Sequence, residues 1–234
     1  MKTSYLLTVC MLWGSAQAVE PVRLVTSVNP ALPASPAHRL LFKDWFGRIN
    51  TPFTLEYRPN RRAEIEFKNG KFDGDVARIS LFTQNYPTAI RVDPSYLALE
   101  YYAISNALEI RQWSDLYQHS IAYMLGTRAV ENQLSQSSQL NPVNTARACL
   151  AMVQTRRVDV CVIQNGTITE AQLESAKTQF KVQLFATLNV HLWLAPTQQK
   201  LAQQLSAALI QMQKDGTLER HQKAMLNPEA TPGH

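Results

Sequence analysis

The segment Asn69-Gly-Lys-Phe-Asp-Gly-Asp-Val-Ala-Arg-Ile-Ser80 reads as a helix end, a glycine-marked corner and a short strand that runs into an arginine. The same grammar returns in Thr155-Arg-Arg-Val-Asp-Val-Cys-Val-Ile-Gln164. Setting Asp73 over Asp159 places Phe72 on Val158, Val76 on Val162 and Arg78 on Gln164. A chain that repeats helix, corner and buried strand is constrained to an alternating α/β architecture with parallel pairing. Polar residues at matching strand ends then predict two lobes with a cleft between them.

The rest of the chain fits that frame. Arg23–Val28, Phe53–Tyr57, Tyr96–Ser105, Ser120–Leu125, Val158–Ile163, Phe180–Phe185 and Leu188–Leu194 have the β-branched and aromatic content of strands. Between them lie segments with apolar residues at helical spacing, such as Leu40, Leu41, Trp45, Phe46 and Ile49. Ser35 before Pro36 reads as the cap of that first helix, and Asn141 before Pro142 as the cap of a helix running to about 155. Leu201, Leu205, Leu209 and Met212 form one stripe of a closing helical region that Asp215-Gly216 divides in two.

The first eighteen residues read as a targeting segment. Lys2 supplies a positive start, Tyr5–Trp13 a short apolar stretch and Ala16-Gln-Ala18 a small-x-small cleavage signal, so cleavage is expected after Ala18. The stretch falls short of the ~20 residues that span a bilayer. The expectation is an exported, periplasmic protein acting as a monomer.

Two cysteines remain after such cleavage, Cys149 and Cys161. An oxidising compartment permits a bond between them. Helix and sheet axes lie about 10 Å apart whereas bridged Cα atoms stand about 4.4–6.8 Å apart. A disulfide and a pair of small buried apolar residues both stand as readings.

The 234 residues carry a formal charge of +5 with lysine and arginine scattered along the chain, unlike the concentrated basic face of a nucleic-acid binder. No metal-ligand spacing, nucleophile–histidine arrangement or phosphate-binding glycine loop is present, so neither cofactor nor catalytic residue is expected.

Four features together resemble the family-3 extracellular solute-binding proteins of bacterial transport systems. They are the Asn69–Asp75 corner, the strand-Gly126-Thr127-helix corner, Arg157-Val-Asp159 before a strand, and the ending Leu194-Ala-Pro…Leu201…Leu205…Leu209…Met212…Asp215-Gly-Thr217. The resemblance spans nearly the whole mature chain. It implies a two-lobed periplasmic-binding-protein-like fold with two crossovers. Lobe 1 would cover 19–98 and 188–234, lobe 2 would cover 104–184, and 99–103 and 185–187 would be hinges. It also implies a small-molecule ligand, usually an amino acid, and delivery to a membrane transporter. A membrane signalling protein is the alternative partner, and a dehydratase-like enzyme the third reading.

Carried onto this sequence, the ligand-binding candidates are Arg78 and Gln164 at strand ends, Gly126, Thr127 and Arg128 at a helix start, and Tyr86 and Tyr102 as aromatic lining. Each also has a plainer reading. Arg78 can be a surface arginine paired with Asp75 or Glu100, Thr127 a helix cap, Gln164 a solvated strand end, and the aromatics core. Amino-acid-binding members carry an aspartate at the position of Gln164. They also carry an aromatic Gly/Pro loop where this chain has Asn29–Pro33, and a Thr-x-x-Arg clamp for which Arg78 is only a nearby substitute. These departures favour a carboxylate-bearing or otherwise anionic small molecule. Asp75 and Glu100 are the two acids available for the enzyme reading.

Overall fold

The computed structural model describes residues 20–31, 34–79, 82, 86–136 and 139–227. The expected targeting segment with its cleavage site after Ala18, Ser80, Gln84 and the residues beyond 227 lie outside them. In chain order the elements are β1 (Val22–Thr26), α1 (Ser35–Gly47), β2 (Phe53–Tyr57), α2 (Asn60–Lys68), β3 (Gly74–Ile79), β4 (Ile90–Arg91) and β5 (Leu97–Ser105). There follow β6 (Ile121–Met124), α3 (Arg128–Gln133), β7 (Leu140–Val143), α4 (Ala146–Gln154), β8 (Val160–Gln164), α5 (Glu170–Lys177), β9 (Lys181–Leu194), α6 (Gln199–Lys214) and α7 (Thr217–Leu226). The strands join in the order β2-β1-β3-β9-β5-β8-β6-β7, with β4 added to β9. Among the described residues no helix is long and apolar enough to cross a membrane.

The sequence repeat is a structural repeat. Strands β2, β1 and β3 pair in parallel, and so do β7, β6 and β8. Helix α2 and the strand after it recur as α4 and β8 86 positions later. Gly70 takes a left-handed φ of 73° at the first corner, and its counterpart Arg156 takes 54° at the second. Glycine meets that demand without a Cβ penalty; arginine does not, so the second corner carries no sequence signature.

Asp73 and Asp159 do the same work in the two copies. Asp73 accepts hydrogen bonds from the Arg23 backbone N–H (2.8 Å) and guanidinium, and its own N–H donates to the Arg23 carbonyl. Asp159 accepts from the Ser120 backbone N–H and hydroxyl (both 2.8 Å) and donates to the Ser120 carbonyl. Each aspartate thus pins the start of the central parallel strand to the corner before its neighbour. Partial burial pushes the Asp73 carboxyl up, but the Arg23 hydrogen bonds outweigh it and the net direction is down. The Ser120 hydrogen bonds lower Asp159.

Apolar packing separates into two groups. Leu24, Phe42, Trp45, Leu192, Leu205 and Leu209 fill the core under α1, α6 and α7, and Val25, Phe67, Phe72 and Trp193 fill the opposite face under α2. Tyr101, Ile121, Val160 and Phe185 form the core on one face of the second half, and Ile104, Val153, Cys161 and Ile163 that on the other. Half-buried Leu99, near the start of β5, touches a core of each half. The chain is therefore two lobes on one continuous hydrogen-bonded sheet, joined along β5 and β9.

Local readings shift in four places. Helix α1 begins at Ser35 itself, with Ala34 at the cap position and no side-chain cap bond. Asn141-Pro142 lies in strand β7 rather than opening a helix. That strand is the sheet edge, where a proline's missing N–H costs no ladder bond. The cap of α4 is instead Thr145, whose hydroxyl accepts from the Ala148 N–H at 3.1 Å. The runs 180–185 and 188–194 are one fourteen-residue strand, β9, which absorbs the change of direction at register shifts against β5 and β3.

A histidine is sealed into the lobe-1 core. His38 is 4% exposed, and its Nε2 lies 3.3 Å from the Tyr96 hydroxyl, which donates to the Val76 carbonyl. That leaves the Tyr96 oxygen to accept, so the ring carries its proton on Nε2. Burial lowers the His38 pKa from 6.5 to about 4. The unfolded chain then binds the proton first, and stability falls as pH drops from 6.5 toward about 4. The slope in that window should approach about 1.4 kcal/mol per pH unit. Urea titrations of the wild type and His38→Gln across this range are expected to show a shallower slope in the variant.

Candidate functional site

The ladder registers fix where the strand ends point. Strand β3 runs against β9 from Gly74, opposite Leu194, to Ile79, opposite Val190. Strand β8 runs against β5 from Val160, opposite Ser105, to Gln164, opposite Tyr101; Tyr101 in turn lies beside Ala186 of β9. The carboxyl ends of β3 and β8 therefore face each other across residues 186–190 of β9, a gap of roughly 13 Å at ~3.3 Å per residue. Ligands of open α/β sheets sit beyond carboxyl ends, and here the ends from both lobes converge on one place.

On the lobe-1 side, Arg78 is 7% exposed and Asp75 is fully buried. The Arg78 Nε donates to the Asp75 carboxylate at 2.7 Å, one terminal nitrogen donates to the Asn60 side-chain oxygen, and the other donates to the Asn60 carbonyl at 3.1 Å. The guanidinium also lies 5.5 Å from the centre of the Phe82 ring. Burial pushes the Asp75 carboxyl up, and the Arg78 charge and hydrogen bond pull it back only in part. Arg78 is thus not a surface arginine. Its nitrogens already hold Asp75 and the first residue of α2, so it is not an open fork.

On the lobe-2 side, Gln164 is half-buried and its side-chain oxygen accepts from the Tyr101 hydroxyl at 2.9 Å. Tyr101 is held by Trp113, whose ring packs tilted against Tyr101 and edge-on against Phe185. Trp113 is therefore part of the support. Gly126 and Thr127 form the corner between β6 and α3. Thr127 sits at the cap position without a side-chain cap bond, so its hydroxyl is not spent on the helix. The Arg128 side chain lies outside the described residues.

Two aromatic candidates take other places. Tyr86 packs edge-on against Phe67 and Phe82, at the margin of the core under α2. The structure does not bring Tyr102 to the side of Gln164. Successive strand residues point to opposite faces, so Tyr102 lies on the other side of β5 from the Tyr101–Gln164 pair. Its hydroxyl donates to Glu100 at 2.5 Å. Burial and then Glu100 raise the Tyr102 phenol to about 12. The two acids considered for catalysis are thereby occupied, Asp75 by Arg78 and Glu100 by Tyr102.

Residues not singled out in the sequence complete the arrangement. Asn60 holds Arg78 from the start of α2, directly after Pro59, and that Pro-Asn pair was its only signal. Asn165 accepts from the Glu100 N–H at 3.1 Å and donates to the Ala98 carbonyl at 3.2 Å, fastening the turn after β8 to the crossing strand. Cys149 and Cys161 are joined by a disulfide, with their Cα atoms 5.5 Å apart, so α4 is tied directly to β8. Among the described residues no group of His, Cys, Asp or Glu could hold a metal ion.

Two lobes whose parallel strands point their carboxyl ends at each other across a pair of crossing strands define the periplasmic-binding-protein-like fold, and this chain has it. It is similar in structure to the L-cystine solute receptor of Neisseria gonorrhoeae in its unliganded open conformation, with a TM-score of 0.60, 15% identity, and 88% of this chain and 92% of that chain covered. It is equally similar to the GluR0 ligand-binding core from Nostoc punctiforme in complex with L-glutamate, with a TM-score of 0.60, 16% identity, and 89% and 100% covered. An ancestral amino-acid-binding protein, a precursor of cyclohexadienyl dehydratase, matches with a TM-score of 0.55, 16% identity, and 88% and 95% covered. No protein-family model and no curated protein matches the sequence.

Proposed function

We propose that this chain is a periplasmic solute-binding protein that closes its lobes around a small polar, carboxylate-bearing ligand and delivers it to a membrane transporter. The observation that carries the reading is the convergence of the β3 and β8 carboxyl ends on residues 186–190 of β9. In this reading lobe 1 covers 19–98 and 188–234, lobe 2 covers 104–184, and closure bends the crossings at 99–103 and 185–187. Export by the leader would place the protein beside its transporter.

The ligand's polar groups would meet Thr127 and the amide of Gln164, whose oxygen is already taken by Tyr101 and whose NH2 can therefore donate. A neutral donor at that place favours a carboxylate over an ammonium group. Arg78 adds positive charge behind the lobe-1 wall, but it is balanced by Asp75. The likeness to amino-acid receptors, at 15–16% identity, supports the fold behind this reading.

Native mass spectrometry of the mature protein would first reveal any co-purified compound. A thermal-shift screen of amino acids, organic acids and polyamines follows. At a ligand concentration one hundred times Kd the stabilisation is about 2.7 kcal/mol, well above detection. Organic acids should raise the melting temperature most, and Gln164→Ala and Thr127→Ala should weaken the response. A flat response across the whole panel would sink the small-ligand reading.

A further inference from the structure

Asn165, directly after Gln164, carries lobe 2 along β5 beyond the point where β8 stops pairing with it. The β8–β5 ladder ends at Gln164, opposite Tyr101. Past that pair the Asn165 N–H donates to the Glu100 carbonyl at 2.9 Å. Its side-chain oxygen accepts from the Glu100 N–H at 3.1 Å, and its amide nitrogen donates to the Ala98 carbonyl at 3.2 Å. A primary amide carries a donor and an acceptor together, so one side chain grips the edge of β5 as a further strand residue would. Along that edge lobe 2 reaches back to Ala98.

Lobe 1 ends just short of it. The Tyr96 ring is buried in the lobe-1 core, its hydroxyl donates to the Val76 carbonyl, and its own carbonyl accepts from the Gln222 amide of α7 at 3.0 Å. Leu97 pairs with Val190 of β9, which pairs in turn with Ile79 of β3. The next pair, Ala98 with Asn189, is the first without a lobe-1 strand beside it.

From Ala98 and Asn189 to Tyr101 and Ala186 the crossing is a ribbon of β5 and β9, and its β9 edge has no strand partner among the described residues. Two-stranded ribbons twist more than wider sheets do. Asn165 gives this one a third hydrogen-bonded neighbour, on the β5 edge and from lobe 2 alone. Leu99 also touches the lobe-1 core, but a non-directional apolar contact can slide where a hydrogen bond cannot.

We propose that Asn165 is a strap that makes the ribbon part of lobe 2 and confines bending to the Leu97–Ala98 and Asn189–Val190 links. The inference rests on the closing-lobe reading above and moves its bends, placed there at 99–103 and 185–187, to the lobe-1 end of the ribbon. Gln164, opposite Tyr101, then swings on an arm of roughly 12 Å at ~3.3 Å per residue. Without the strap's side chain, the Asn165 N–H and the ladder still hold Glu100 and Tyr101. Ala98 and Leu99, with Asn189 and Leu188 opposite, are released, and the hinge lengthens by those two pairs.

The test needs no ligand. Arg61, at the start of α2, and Leu125, after β6, are both exposed and stand at the cleft-side ends of the two lobes. Spin labels on Arg61→Cys and Leu125→Cys of the mature protein report the rim-to-rim distance, the native cysteines of the described chain being held in their disulfide. Asn165→Ala should widen the distance distribution. Asn165→Asp keeps an acceptor for the Glu100 N–H but loses the donor to Ala98. It should widen the distribution too, and it carries the test alone if the alanine variant does not fold. Asn106→Ala removes a side-chain hydrogen bond to the Val153 carbonyl within lobe 2 and should leave the width as it is. A width unchanged in a folded Asn165 variant, or increased equally by Asn106→Ala, would overturn the proposal. A thermal screen in which nothing binds would sink the functional reading and leave the widths to decide this inference, so the two failures are separable.

Discussion

Asp75→Ala is expected to destabilise the protein by about 3–5 kcal/mol, the usual cost of removing one partner of a buried ion pair. Asp75 is fully buried and Arg78 is 7% exposed, so water cannot take the place of the lost carboxylate. The guanidinium would keep its bonds to Asn60 and its position on Phe82 but lose its counter-charge. Asp75→Leu combined with Arg78→Met should recover much of the loss, because replacing both charges with apolar groups removes the stranded cation. Arg78→Met alone should be costly as well, with Asp75 left in its place. Urea midpoints at unchanged slope read all of these as stability rather than as a change in compactness.

The second large effect lies at the equivalent place in the other lobe. Cys161 occupies in β8 the position that Asp75 occupies in β3, and its disulfide to Cys149 ties that strand to α4. In lobe 1 the corresponding strand is tied to α2 through Asp75, Arg78 and Asn60. The bridge spans 12 residues of sequence. Closing a loop of that length is worth about 3 kcal/mol in the chain-entropy account. Cys149→Ala with Cys161→Ala should therefore lower the unfolding free energy extracted from urea titrations by that amount, and the wild type should lose a comparable amount on reduction. A double variant as stable as the oxidised wild type would contradict a structural role for the bridge.

These twin ties also mark where the sequence is legible and where it is not. The repeat could be read because Asp73 and Asp159 stand at equal distances from strands of like pattern, and both are held by the start of the neighbouring strand. The left-handed corner could be read at Gly70 but not at Arg156, whose residue type carries no such preference. Pairing of Arg78 with Asp75 was one of the readings the sequence offered, but as a surface pair, and its burial has a structural cause. Residues three apart on a regular strand point to opposite faces, and here a register shift between positions 75 and 78 of β3 brings them together.

Pro142 misled because a proline after an asparagine suits a helix start and an edge strand alike, and only the sheet order distinguishes them. Tyr102 was read as aromatic lining from its residue type, which says nothing about which face of a strand it takes. The supports of the site, Asn60 and Asn165, act through contacts separated by 18 and by 65 or more residues, which no local pattern announces.

The proposed function, resting on convergence of the two sets of strand ends, has ligand enclosed between the lobes rather than held on one. Small-angle X-ray scattering of the mature chain, with and without the compound that raises its melting temperature most, tests this directly. The account predicts a smaller radius of gyration in the bound state, with the change diminished in Gln164→Ala at the same ligand concentration. Saturating stabilisation with an unchanged radius of gyration, in a protein whose free form is open, would contradict closure of the lobes around the ligand.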